Sequence, residues 1–150
     1  ASAPEALSAP QGKPLLVVSG RIAVTNGDGK AAFDLAMLEA LPQVTVTTAT
    51  PWSDGESRFE GVRIRDVLDR VGANGDAVNA AAVDDYQIEI PAADFRNYDV
   101  IIAYAENGRP LPPDNKGPLW IVYPFSANPQ LKNDLYFARC VWQLNALIVK

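Results

Sequence analysis

Residues 48–59 read TATPWSDGESRF, which sets one aromatic, two acids and an arginine in a single polar stretch. Trp52 offers a flat face, Asp54 and Glu56 offer carboxylates, and Arg58 offers a guanidinium for stacking or for an oxygen. That set suits a flat heterocycle, whose ring stacks on the aromatic while its donor edge gives two hydrogen bonds to a carboxylate. Trp52 is the sharpest of these candidates. It stands beside Pro51 among polar residues, with no periodicity to place it in a core.

Other chemistry finds less support. The chain has no histidine and one cysteine, which nearly excludes zinc, haem and histidine-based copper or iron. Cys140 lies in YFARCVWQL and reads as a buried, inert thiol at the start of the last strand. Asp84-Asp85 read as carboxylates at a strand turn, because a calcium cage needs six or more oxygens. A serine or threonine nucleophile without histidine needs a lysine base, and no Ser-x-x-Lys spacing occurs. The glycines fall in turns and none opens a helix with phosphate-loop spacing. No catalytic residue or metal ligand is assigned.

The loop needs elements to hold it. Val44 and Val46 alternate with Thr45 and Thr47, which predicts a strand leading into it. Beyond it, Ile64, Val67, Leu68 and Val71 recur at helical spacing, and Gly72 marks the stop. Upstream, residues 15–24 read as a strand with a bend at Gly20, and Asp34 caps a short helix over 35–40. Downstream, strands are expected over 77–83, 86–90, 100–105, 119–123 and 141–149. Asn107-Gly108 is a hairpin turn, residues 91–95 form a helical turn begun by Pro91, and 130–136 hold a short helix. Trp120 and Trp142 are expected in the core, and Arg63 and Arg65 in solvent. The sum is an α+β domain of mixed β-sheets with three short helices.

At 150 residues one domain is expected, and a net charge of −5 argues against a nucleic-acid partner. No apolar run approaches a membrane span. The opening ASAPEALSAPQGK resembles the tail left after signal-peptide removal, so residues 1–13 are expected to be a flexible leader and 14–150 the domain.

From Val44 onward the chain resembles the molybdopterin-binding domain of the sulfite oxidase family. The resemblance is carried by Phe59-Glu60-Gly61-Val62 with the helix IRDVLDRVGA, by DDYQIEIP, by IIAYAENGRPLPPDNKGPLWIVYP and by VWQLNALIV, in that order. It implies a sulfite oxidase-like fold and a pterin ligand. Two departures stand out. Catalytic members carry a cysteine after the first of these strands, where its thiolate binds molybdenum. Here Thr47, Thr48, Ala49 and Thr50 stand there. Catalytic members also follow the Gly-Pro-Leu step with an arginine that helps hold the cofactor, and here Trp120 follows Leu119.

The resemblance therefore implies a small metal-free pterin and makes the molybdenum cofactor an unexpected ligand. Its cofactor-contacting regions fall on Tyr86, Asn115, Tyr123, Phe125, Ser126 and Arg139, which join Trp52, Asp54 and Arg58 of the loop, and Thr48 and Thr50 at the cysteine's place, as candidate pterin contacts. Tyr86 and Tyr123 also fit strand patterns that would put them in the core or at its rim. Small members without the cysteine imply a non-catalytic, exported, periplasmic protein that presents its pterin to the sensor domain of an inner-membrane signalling protein. A molybdopterin-dependent oxidoreductase with an atypical site, or a purely structural accessory domain, remain the alternatives.

Overall fold

Hydrophobic alternation and turn chemistry produce short strands joined by tight connections. The computed structural model describes residues 12–26, 29–50, 55–83, 86–111 and 119–150. Trp52, Asp54, Asn115 and the Asp84-Asp85 pair lie outside these residues. In chain order the elements are β1 (Leu16–Gly20), β2 (Ala31–Phe33), α1 (Leu35–Glu39), β3 (Gln43–Ala49), β4 (Glu56–Arg63) and α2 (Ile64–Arg70). They continue with β5 (Ala77–Ala82), β6 (Gln87–Pro91), α3 (Ala92–Asn97), β7 (Ile101–Glu106), β8 (Arg109–Pro110) and β9 (Trp120–Val122). A 3-10 turn (Pro129–Leu131), α4 (Asp134–Phe137) and β10 (Leu144–Val149) complete them.

Two sheets result, the first mixed and the second antiparallel in every pair among the described residues. One has the order β2-β1-β10-β5-β6, with β1 parallel to β10 and the other pairs antiparallel. The other has the order β3-β4-β7-β8, with β9 also paired to β7. A buried cluster takes side chains from both sheets, including Leu16, Val18, Val78 and Leu147 from the first and Val62, Ile102 and Ile121 from the second. The amphipathic face of α2 joins it through Ile64 and Val67. Side chains alternate across a strand, so Ile101, Ala103, Trp120 and Val122 fall on the opposite face, in a smaller cluster with Phe59 and Leu111.

Local chemistry accounts for several ends. The Asp34 carboxylate accepts the Met37 amide at 2.9 Å and opens α1. Gln43 Nε2 donates to the carbonyls of Leu38 (2.9 Å) and Leu41 (2.7 Å), which satisfies groups left over where α1 stops. Gly72 follows α2 with φ +63°, and Asn107-Gly108 turn the β7–β8 hairpin at φ 53° and 81°.

Several expectations are corrected by the pairing. The loop after β3 is shorter than expected, because Thr48 pairs with Ser57 and Ala49 with Glu56, and Phe59 is a core residue on β4. The first strand stops at Gly20, not at residue 24. Gly20 has φ +91°, and a Cβ there would lie 2.1 Å from the Val149 carbonyl oxygen. The last strand starts at Leu144, because Gln143 takes φ 52° and interrupts it. Cys140 consequently precedes that strand and does not start it. The helix expected over 130–136 is split into the 3-10 turn and α4, so four α-helices stand among the described residues. Pro91 precedes α3 as its cap. Trp120 is in the core, edge-on to Phe59 at 5.2 Å, whereas Trp142 is 36% exposed. Arg63 and Arg65 are half-buried, and both reach Asp99.

Candidate functional site

The end of β3 is tied to the loop after β9 by a reciprocal pair of polar groups. Ser126 N–H donates to Thr48 Oγ1 at 2.9 Å, and Ala49 N–H donates to Ser126 Oγ at 3.0 Å. The two hydroxyl oxygens stand 3.3 Å apart. Thr48 has no exposed surface, and its hydroxyl is satisfied by this tie and by the Ala49 carbonyl at 3.2 Å. Thr48 and Ser126, separated by 78 residues in sequence, are thereby brought together.

Next to this tie, Ala49, Thr50, Phe125, Lys132 and Phe137 line a cleft of about 300 Å³. Phe137 is also a wall of a second cleft, of about 290 Å³, with Ala82, Tyr86, Ala138, Cys140, Val141 and Trp142. The Phe137 ring meets Phe125 edge-on at 5.3 Å. Tyr86 is 45% exposed, and its hydroxyl donates to the Ala138 carbonyl at 3.0 Å. The shared wall makes the two clefts neighbours. Each is at the small end of the range of roughly 300–1,000 Å³ that organic ligands occupy, and the lining is mostly aromatic and apolar.

A buried polar set braces the wall from within. Asp94 Oδ2 accepts the Tyr123 hydroxyl and Arg139 Nη1, both at 2.8 Å. The Arg139 guanidinium also lies 5.2 Å from the centroid of the Tyr136 ring. Burial, then the Asp94 charge, pushes the Tyr123 hydroxyl far above its ordinary range. Burial likewise raises the Cys140 thiol from 9.0 to about 12, although a hydrogen bond from the Tyr123 backbone pulls the other way. The thiol is therefore protonated at neutral pH and donates to the Tyr136 carbonyl at 3.6 Å.

The expected residues divide accordingly. Thr50, Phe125 and Tyr86 line the clefts, and Thr48 and Ser126 form the tie beside them. Tyr123 is fully buried, and Arg139 spends its guanidinium on Asp94 behind the wall. Arg58 lies apart from both clefts. It pairs with Glu60 at 3.5 Å, and its backbone amide donates to Asn107 at the β7–β8 turn. Lys132, Phe137, Val141 and Trp142 line the clefts without having been singled out as ligand contacts. Phe137 and Trp142 sit in YFARCVWQL, an aromatic-rich segment whose break at Gln143 is what turns Trp142 outward. Among the described residues, no group of three His, Cys, Asp or Glu side chains comes close enough to hold a metal ion.

Residues 21–128 match the family described as "Oxidoreductase molybdopterin binding domain". The chain is similar to "Uncharacterized oxidoreductase YuiH" of Bacillus subtilis (strain 168), with 34% identity over 77 residues, covering 50% of this chain and 39% of the relative. The fold resembles the crystal structure of the sulfane dehydrogenase SoxCD from Paracoccus pantotrophus, with a TM-score of 0.69 and 17% identity over 89% of this chain and 37% of that one. The chain thus spans about two fifths of the length of each. Thr48, Thr50, Phe125 and Ser126 fall inside the matched span, whereas Lys132 and the segment from Phe137 to Trp142 lie beyond it. With more than half of its length matched in this way and the mixed-sheet fold in agreement, the chain belongs to the family of sulfite oxidase-type oxidoreductase molybdopterin-binding domains.

Proposed function

We propose that this domain binds a pterin in the clefts that share Phe137, and that it does so without anchoring molybdenum through a protein thiolate. The observation that carries this reading is Thr48. Thr48 to Thr50 stand where the resemblance puts the metal-binding cysteine, and the Thr48 hydroxyl is buried and bonded to Ser126. Threonine at that place cannot reproduce the ligand field of a soft thiolate. The chain's one cysteine is Cys140, which is on another segment, buried and held protonated by burial.

The residues present fit the organic part of the ligand better than the metal. Phe137, Tyr86 and Trp142 supply aromatic surface, Thr50 brings a hydroxyl, and Lys132 brings a charge. Trp52 and Asp54 follow Thr50 closely in sequence and supply the stacking face and the edge carboxylate expected for a pterin. A bound pterin would contribute a redox-active, fluorescent heterocycle. The chain's own part is to orient it and shield one face from water. On the same reading the domain works in the periplasm and presents its pterin to the exported sensor domain of a membrane signalling protein. Support for that step comes from the resemblance to small members lacking the cysteine.

A second reading is favoured by the relatives themselves. One is named as an oxidoreductase and the other as a sulfane dehydrogenase, and this chain spans only 39% and 37% of their lengths. A redox reaction with an atypical molybdenum site would then be the function. Protein made in a host that synthesises the cofactor separates the two. A heat-released fluorescent compound of pterin mass, with molybdenum well below one atom per chain, is expected. Near-stoichiometric molybdenum would establish the second reading, and protein that neither carries nor takes up a pterin would remove the first.

A further inference from the structure

The outer edge of β3 is open over Thr45 and Thr47, up to the Ala49 amide that Ser126 takes. β3 ends its sheet, and β4 is its one strand partner among the described residues. Main-chain groups point alternately to the two sides of a strand, which fixes what that edge presents. The Arg58 amide and carbonyl both meet Asn107, on the β7 side of β4. Ser57 and Phe59 therefore face β3, where they pair with Thr48 and Val46. Thr45 and Thr47, one step out of phase, direct their N–H and C=O groups away from β4. The Ala49 amide gives the same alternation independently, because it leaves the sheet to reach Ser126 Oγ. Thr45 and Thr47 are both exposed.

Exposed edges usually carry a lysine, a proline or a bulge that discourages pairing. Gln43–Ala49 reads QVTVTTA, has none of these, and keeps an unbroken register with β4 over 7 residues. The strand is also uncharged, so two chains of net charge −5 can meet along it without opposing like charges. An antiparallel approach about a twofold axis at Val46 sets Thr45 across from Thr47 of the second copy. Both such pairs are then of the hydrogen-bonded kind, and threonine across from threonine is a favourable cross-strand pair. A groove of about 430 Å³ along Thr45 and Thr47, with Asn97, Tyr98 and Asn128 in its lining, gives the incoming side chains room, and its one carboxylate, Asp99, is paired with Arg63 and Arg65.

We propose that two copies of this chain join edge to edge through β3, continuing the second sheet across a twofold axis. The join is isologous and does not depend on whether a pterin is bound. Sedimentation equilibrium of the full chain over a wide concentration range tests it. The expected result is a species of twice the monomer mass of 16.2 kDa. Thr45→Pro removes an outward amide and leaves the β4 ladder intact, so it should weaken association at least tenfold. Thr45→Val keeps the amide and should associate like the parent. Should the proline variant fail to fold, the double variant Thr45→Lys, Thr47→Lys opposes like charges across the axis and should also be monomeric. A parent that is monomeric at every concentration overturns the proposal. So does a dimer that survives both the proline and the double-lysine changes.

Discussion

At the scale of single residues, burial decides what Cys140 can do. With the thiol raised to about 12, a reagent that needs thiolate should label native protein slowly and unfolded protein quickly. Equal rates in the two states would place the thiol at the surface. The same shift has an alkaline consequence. The unfolded chain loses this proton near pH 9 while the folded chain keeps it to about 12, so stability falls as pH rises through that window. Wild type should lose more stability than Cys140→Ala above pH 9, by up to about 1.4 kcal/mol per pH unit. Parallel pH curves would show that Cys140 titrates alike in both states. Asp94 is the other decisive residue, since it holds both Arg139 and Tyr123. Asp94→Asn leaves a mostly buried guanidinium without its counter-charge, and urea unfolding should register a loss of about 3–5 kcal/mol. A loss under about 1 kcal/mol would mean that the set has re-formed around the amide. The burial of Cys140 was legible in its apolar neighbours. The partnership of Asp94 with Arg139 was not, because 45 residues separate them and nothing in PAADF or FARCV points to the other.

At the scale of elements, the sequence was most informative where local chemistry acts alone. Asp34 caps α1, Gly72 follows α2, and Asn107-Gly108 turn a hairpin, each through groups within a few residues. Strand ends were harder to read because a partner sets them. Glu56 to Phe59 look like loop in isolation and become strand only when Thr48 and Ala49 pair with them. β2 is 3 residues long and shows no alternation of its own until β1 lies beside it. The candidate site suffered in the same way. Thr48, Thr50 and Ser126 were legible through family resemblance, whereas Phe137 and Lys132 became wall residues through the 3-10 turn and α4, whose division the pattern did not reveal. Gly61 gives an element-scale test. The β4–β7 register shifts between Glu60 and Gly61, and a Cβ on Gly61 would stand 2.0 Å from the Ile102 carbonyl oxygen. Gly61→Ala should therefore push the two strands apart and lower stability by about 1–3 kcal/mol in a thermal or denaturant titration. Unchanged stability would show that the bulge can absorb a methyl group.

At the scale of the whole molecule, presenting a pterin to a partner is a claim about coupled equilibria. If a sensor domain reads the bound state, pterin and sensor must alter each other's affinity by the same factor. Titrating pterin with and without a candidate sensor domain should give different affinities, and identical values would uncouple that sensor from the ligand. The first sheet adds a constraint of another kind. β10 is the last strand in the chain, yet it lies in the middle of the order β2-β1-β10-β5-β6, hydrogen-bonded to β1 on one side and β5 on the other. During synthesis, β1 and β5 emerge well before the strand that must lie between them. Chain elongation at about 5–20 residues per second leaves the two halves of this sheet unjoined for several seconds. The β1 and β5 edges of this sheet therefore stay unpaired with each other's half until Leu144–Val149 has been made, and the sheet closes only afterwards.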